Sequence, residues 1–198
     1  NGMTATMSAN DVLLDGSTTD SDTINITATG GGTAITTLNI ENAVLTASTG
    51  VVNLDASAMT GLTSLSVSGS VAATVDNVAS AATITSQDYT RVLTIDDTNY
   101  DGTAALGTAD VLNVAVSGAS YGSSAATRSG ITLVTDNAST LETLNVTSSG
   151  ATANEFALDA SNANLTLSTV NMLGATDLTM RVSHNDITGI TIAGGDAT

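Results

Sequence analysis

The chain has 198 residues, with 19 acidic against three basic, a formal net charge of -16, no Cys, no Pro and only 2% aromatic residues. That balance excludes a disulfide framework and a thiolate metal site. It also excludes nucleic acid as a partner, because phosphate recognition needs basic patches. No run reaches the roughly 18 apolar residues of a membrane helix, so no membrane insertion is expected.

In chain order, the first feature is acidic: Asp11, Asp15, Asp20 and Asp22 stand within twelve residues. Thr23-Ile24-Asn25-Ile26-Thr27 then alternates apolar and polar side chains. Thr37-Leu38-Asn39-Ile40 and Ser64-Leu65-Ser66-Val67-Ser68 do the same. Such period-2 runs, rich in β-branched residues, predict strands. Segment 76–82 is Ala-rich but too short for more than a turn of helix. A second acidic stretch, Asp96-Asp97-Thr98-Asn99-Tyr100-Asp101-Gly102, precedes Asp110. Three further alternating runs follow: Val111-Leu112-Asn113-Val114-Ala115-Val116, Thr143-Leu144-Asn145-Val146-Thr147 and Asn164-Leu165-Thr166-Leu167-Ser168. Gly, Asn, Asp and Ser separate the runs, as turns require.

Phrases recur in one order along the chain. Asp22-Thr23-Ile24-Asn25-Ile26 resembles Asp110-Val111-Leu112-Asn113-Val114, and Thr37-Leu38-Asn39-Ile40 resembles Thr143-Leu144-Asn145-Val146. Val52-Asn53-Leu54-Asp55-Ala56-Ser57 resembles Phe156-Ala157-Leu158-Asp159-Ala160-Ser161, and the stretch from Met59 to Leu65 resembles that from Met172 to Leu178. The expectation is two diverged repeat units, 1–100 and 101–198, which also fit one continuous solenoid.

The expected fold is all-β, a parallel β-helix-like solenoid; tandem β-sandwiches are the alternative. Two features favour the solenoid. The bulky aromatic anchor of a sandwich is missing, and stacked Thr, Ser and Asn suit parallel coils.

The phrases Gly107-Thr108-Ala109-Asp110-Val111-Leu112-Asn113-Val114, Thr143-Leu144-Asn145-Val146-Thr147 and Leu158-Asp159-Ala160-Ser161 carry a resemblance. In style, most of the chain resembles the repetitive body of Gram-negative surface-layer proteins of the RTX-related, type I-secreted kind, such as those of Caulobacter and Campylobacter. The resemblance implies a secreted, cell-surface structural protein that self-assembles with other copies of itself into a calcium-dependent lattice. Attachment to cell-surface polysaccharide would belong to another region. The alternative is a stalk or passenger region of a large secreted RTX-type adhesin. One departure concerns the calcium nonapeptide of that family: Gly30-Gly31-Gly32 lacks the following Asp, and Gly194-Gly195-Asp196 is incomplete.

Two acidic clusters are candidate calcium sites, because calcium prefers carboxylate and carbonyl oxygens presented by a tight turn. The leading set is Asp96, Asp97, Asn99 and Asp101 ahead of Gly102, with Asp110 nearby; a solvated acidic turn is the plain alternative. The second set is Asp15, Asp20 and Asp22, where Asp15-Gly16 also reads as a hairpin turn. Asp55 and Asp159, each inside Leu-Asp-Ala-Ser, are expected to hydrogen-bond their own turn backbone. His184, the only histidine, lies in Ser183-His184-Asn185-Asp186. Sequence neighbours on a strand point apart and no nucleophile elbow accompanies it, so the chain is not expected to be an enzyme.

Overall fold

Alternating apolar and small polar side chains bury one face of each strand and leave the other to water, and the chain coils so that the buried faces meet. The computed structural model describes residues 12–78, 82–87, 89, 91–96, 111–118, 120–121, 128–129, 131–134, 141–159, 167–183 and 191–194. They contain strands and no helix.

Three parallel sheets form the sides of a solenoid. The smallest joins β1 (Val12–Leu14), β4 (Thr36–Leu38) and β7 (Met59–Thr60). An eight-stranded sheet runs through β2 (Thr23–Ala28), β5 (Asn42–Ala47), β8 (Ser64–Gly69), β10 (Thr83–Gln87), β12 (Val111–Ser117), β16 (Thr143–Ser149), β18 (Thr169–Gly174) and β20 (Thr191–Gly194). A seven-stranded sheet runs through β3 (Gly31–Ala34), β6 (Val52–Asp55), β9 (Ala73–Asp76), β11 (Leu93–Asp96), β15 (Ile131–Val134), β17 (Asn154–Asp159) and β19 (Leu178–Ser183). The chain visits the sheets in turn, so each strand pairs with its counterpart one coil away. One short antiparallel hairpin, β13 (Ser120–Tyr121) with β14 (Arg128–Ser129), interrupts this order.

The solenoid is the one expected, and the runs at 23–27, 64–68, 111–116 and 143–147 are strands; the run at 37–40 is strand only to Leu38, and residues 164–166 of the last run lie outside the described residues. The pairings β10–β12 and β11–β15 carry both large sheets past residue 100. The recurring phrases map onto this frame unevenly. Val52 and Phe156 share one rank of the seven-stranded sheet, linked rung by rung through Ala73, Leu93 and Ile131. Thr37 and Thr143 instead sit in different sheets, as do Met59 and Met172.

The core is a narrow column of aliphatic ranks. One rank of the eight-stranded sheet stacks Ala43, Leu65, Ile84, Val114 and Val146, each at most 1% exposed. Each large aliphatic side chain so buried contributes roughly 1.5–3 kcal/mol. Two of the few aromatics also lie inside, Phe156 and Tyr89. Tyr89 donates its hydroxyl to the Val71 carbonyl, and desolvation pushes its pKa up to about 12 against the opposing effect of Arg91.

Coils approach closely at their corners. Gly69 has φ +133°, and a Cβ there would stand 2.0 Å from the Ala47 carbonyl oxygen one coil away. Gly174 meets the Ser148 carbonyl in the same way. Asn154, fully buried, braces another corner by donating to Ser148 Oγ and to the Ser149 carbonyl, both at 2.8 Å.

Candidate metal centre

The corner between the three-stranded and eight-stranded sheets is turned three times in the first coils. The second and third crossings use three residues each, 39–41 and 61–63. Asn39, at φ 58°, and Gly61, at φ +93°, take the left-handed conformation that such a tight corner needs. The first crossing uses eight residues, 15–22, and these hold Asp15, Asp20 and Asp22. The acidic stretch is therefore an enlarged corner. It is not a hairpin turn, because the strands it joins, β1 and β2, lie in different sheets.

The loop folds on itself through short polar contacts. The Ser17 N–H donates to Asp15 Oδ2 at 2.7 Å, an Asx turn. The Thr19 N–H donates to Ser17 Oγ at 3.2 Å. The next coil holds both ends. Asp15 N–H donates to the Leu38 carbonyl, and Asn39 Nδ2 donates to the Asp15 carbonyl at 3.1 Å. Asn42 Nδ2 reaches Ser21 Oγ and the Asp22 carbonyl, and the Asp22 N–H donates to Glu41 Oε2 at 2.9 Å.

As a result, one carboxylate oxygen each from Asp15, Asp20 and Asp22 lies within 4.8 Å of the others. Asp20 is exposed, and Asp15 and Asp22 are half-buried. Desolvation, then the charges of Asp15, Asp20 and Glu41, push the Asp22 carboxyl above its ordinary value. Three like charges converge here, and the folded loop gives them few donors.

The geometry suits a hard cation. Calcium binds oxygens at about 2.3–2.6 Å, so two ligands of one ion lie up to about 5 Å apart. The donor set is all oxygen, and neither His nor Cys is in the group. That chemistry disfavours the softer transition metals. Calcium held here would neutralise the repulsion and tie the loop to the coil carrying Glu41 and Asn42.

The other candidates are placed differently. Asp97, Asn99, Asp101 and Asp110 lie outside the described residues, as do Asp11 and His184. Asp96 ends β11, in the seven-stranded sheet, and its strand neighbour across the pair is Asp76. Asp55 accepts from the Ser57 N–H at 3.0 Å, the turn contact expected of it, and also from Asn77 Nδ2 at 2.9 Å. Those two hydrogen bonds, Asn77 first, hold its carboxyl below the ordinary value.

Sequence reasoning passed over Glu41 and Asp76. Glu41 accepts from the Asp22 N–H, and Asp76 feels the charges of Asp96 and Asp55, each partner on a neighbouring coil about 20 residues away along the chain. Only the coil length could have pointed to them. The expected asparagine stacking is present: Asn145 Nδ2 donates to Asn113 Oδ1 at 2.8 Å, and Asn171 Nδ2 to Asn145 Oδ1 at 2.7 Å. Its signal was an Asn between two apolar residues in successive strands.

The class defined by this architecture is the parallel β-solenoid. No family model matches the chain, nor does any curated protein or solved structure with which it was compared.

Proposed function

We propose that the chain is a structural segment of a secreted, calcium-dependent cell-surface layer, with calcium held by Asp15, Asp20 and Asp22. The observation that carries the ion is the enlarged corner, where three carboxylates converge on a loop pinned by the next coil. The structural role rests on the solenoid itself, an elongating architecture in which each coil contacts only its neighbours. The acidic, Lys-free, Cys-free surface supports an extracellular setting and leaves divalent cations as natural bridges between copies. In this reading the protein performs no reaction. It supplies a stiff rod whose outer faces meet other copies in a lattice.

An ion bound only by the folded state raises stability by mass action, about 2.7 kcal/mol at a hundredfold excess over Kd. Millimolar calcium should raise the melting temperature of the full chain, and EDTA should reverse the rise. The triple variant D15N/D20N/D22N should fold and lose the response. A melting curve indifferent to both reagents removes calcium from the reading. Electron microscopy then tests the lattice: ordered sheets should form from the protein with its natural flanking regions once calcium is added. A calcium-responsive protein that stays monomeric removes the lattice and points to the adhesin stalk.

A further inference from the structure

The seven-stranded sheet carries a second acidic feature, remote in sequence from the enlarged corner. β6, β9 and β11 each end in aspartate, and the register places Asp55 beside Asp76 and Asp76 beside Asp96. Strand neighbours stand about 4.8 Å apart. All three side chains are half-buried on the outward side, since Leu54, Val75 and Ile95 just before them point into the core. Like charges on directly paired residues weaken a sheet. The eight-stranded sheet shows the neutral counterpart, the Asn113–Asn145–Asn171 ladder, in which each amide satisfies the next.

The middle carboxylate of the ladder is not satisfied in this way. Among the described residues, the buried Oδ1 atoms of Asp76 and of its neighbour Asn77 have no hydrogen-bond donor. Both are acceptors, and a proton on Asp76 would turn an unpaired acceptor into a donor. We propose that the Asp55–Asp76–Asp96 ladder is a pH-sensitive seam, loosened by charge repulsion at neutral pH and tightened in mild acid when Asp76 takes up one proton from solvent.

The surroundings assign the proton to Asp76. The charges acting on it are Asp96 from β11 and Asp55 from β6; these and, above all, desolvation push its carboxyl up. Asp55 is held in the charged form by Asn77 Nδ2 and the Ser57 N–H. The outward rank beside the ladder is neutral: Asn53, Thr74 and Thr94. The folded state thus keeps a proton that the unfolded chain releases. Stability from Asp76 is gained as pH falls through its raised folded value and lost as pH rises through it. Asp55 works in the opposite sense at lower pH, because its folded value is depressed. The seam should be tightest between the two.

The test is amide hydrogen exchange on the full chain between roughly pH 4 and 8, expressed as protection factors. Protection in β6, β9 and β11 should rise several-fold toward the acid end, while β12, β16 and β18 change less. In D76N, the isosteric neutral variant, the three strands should already be protected at neutral pH and show no such rise. A D76N profile that parallels the wild type overturns the proposal. The wild-type side chains supply a second readout by carboxyl NMR, which needs no variant: Asp76 should titrate above Asp55, and the reverse order overturns it. Calcium is the third arm. If millimolar calcium at neutral pH restores protection in these strands as fully as acid does, the ladder is a cation site and the proton seam is wrong.

Discussion

Replacing Asn145 by alanine removes two hydrogen bonds of one ladder at once. Asn145 donates to Asn113 at 2.8 Å and accepts from Asn171 at 2.7 Å. The three amides are half-buried on the outer face of the eight-stranded sheet, so water replaces the lost partners only in part. At about 1 kcal/mol net per bond, N145A should lose about 2 kcal/mol, and N113A or N171A about 1 kcal/mol each. The N145D variant separates the two bonds. Its new carboxylate would still accept from Asn171, but an ionised oxygen would face the Asn113 carbonyl oxygen. N145D should therefore be weakest at neutral pH and recover as the new carboxyl takes up a proton at lower pH, because the protonated acid donates again. Urea unfolding followed by circular dichroism gives the midpoints, and hydrogen exchange in β12, β16 and β18 localises the loss if unfolding proceeds coil by coil. An N145A loss no larger than that of N113A, or an N145D stability whose pH dependence matches that of the wild type, would refute the ladder as a source of stability.

Two further predictions follow from single residues. G69A should be among the most damaging of small substitutions: the new methyl would meet the Ala47 carbonyl at 2.0 Å and φ +133° strains any L residue, so thermal melting should show a loss of about 3 kcal/mol or more, whereas G16A, with open space around it, should melt within about 0.5 kcal/mol of wild type. D55A removes the acceptor of both Asn77 Nδ2 and the Ser57 N–H; urea midpoints at neutral pH should fall by an amount worth about 1 kcal/mol, and the difference from wild type should vanish as pH drops through the depressed Asp55 value, where the wild type loses the same contribution.

Much of the fold was legible from local pattern. Runs such as Thr23-Ile24-Asn25-Ile26-Thr27 declared strands, because a period of two is a property of neighbouring residues, and the shortage of aromatics declared a narrow column rather than a wide core. Stacked Asn could be foreseen in kind, but not which Asn would stack: Asn25 also lies between apolar residues, and its strand neighbour is Val44. The acidic loop could be seen, but the convergence of its carboxylates could not. Spacing along the chain showed which carboxylates were close in sequence, and the enlargement of one corner relative to the next two decided that Asp15, Asp20 and Asp22 converge. The same limit hid the ladder of Asp55, Asp76 and Asp96. Its members meet only because the coils between them bring strand ends into register, and coil length varies from 19 residues between Thr23 and Asn42 to 38 between Leu93 and Ile131. A residue's face follows from its immediate neighbours, whereas its partner across a parallel sheet depends on every insertion in the coil between. The sequence therefore determined the strands and the thin core, and the tertiary structure alone decided which charges stand together.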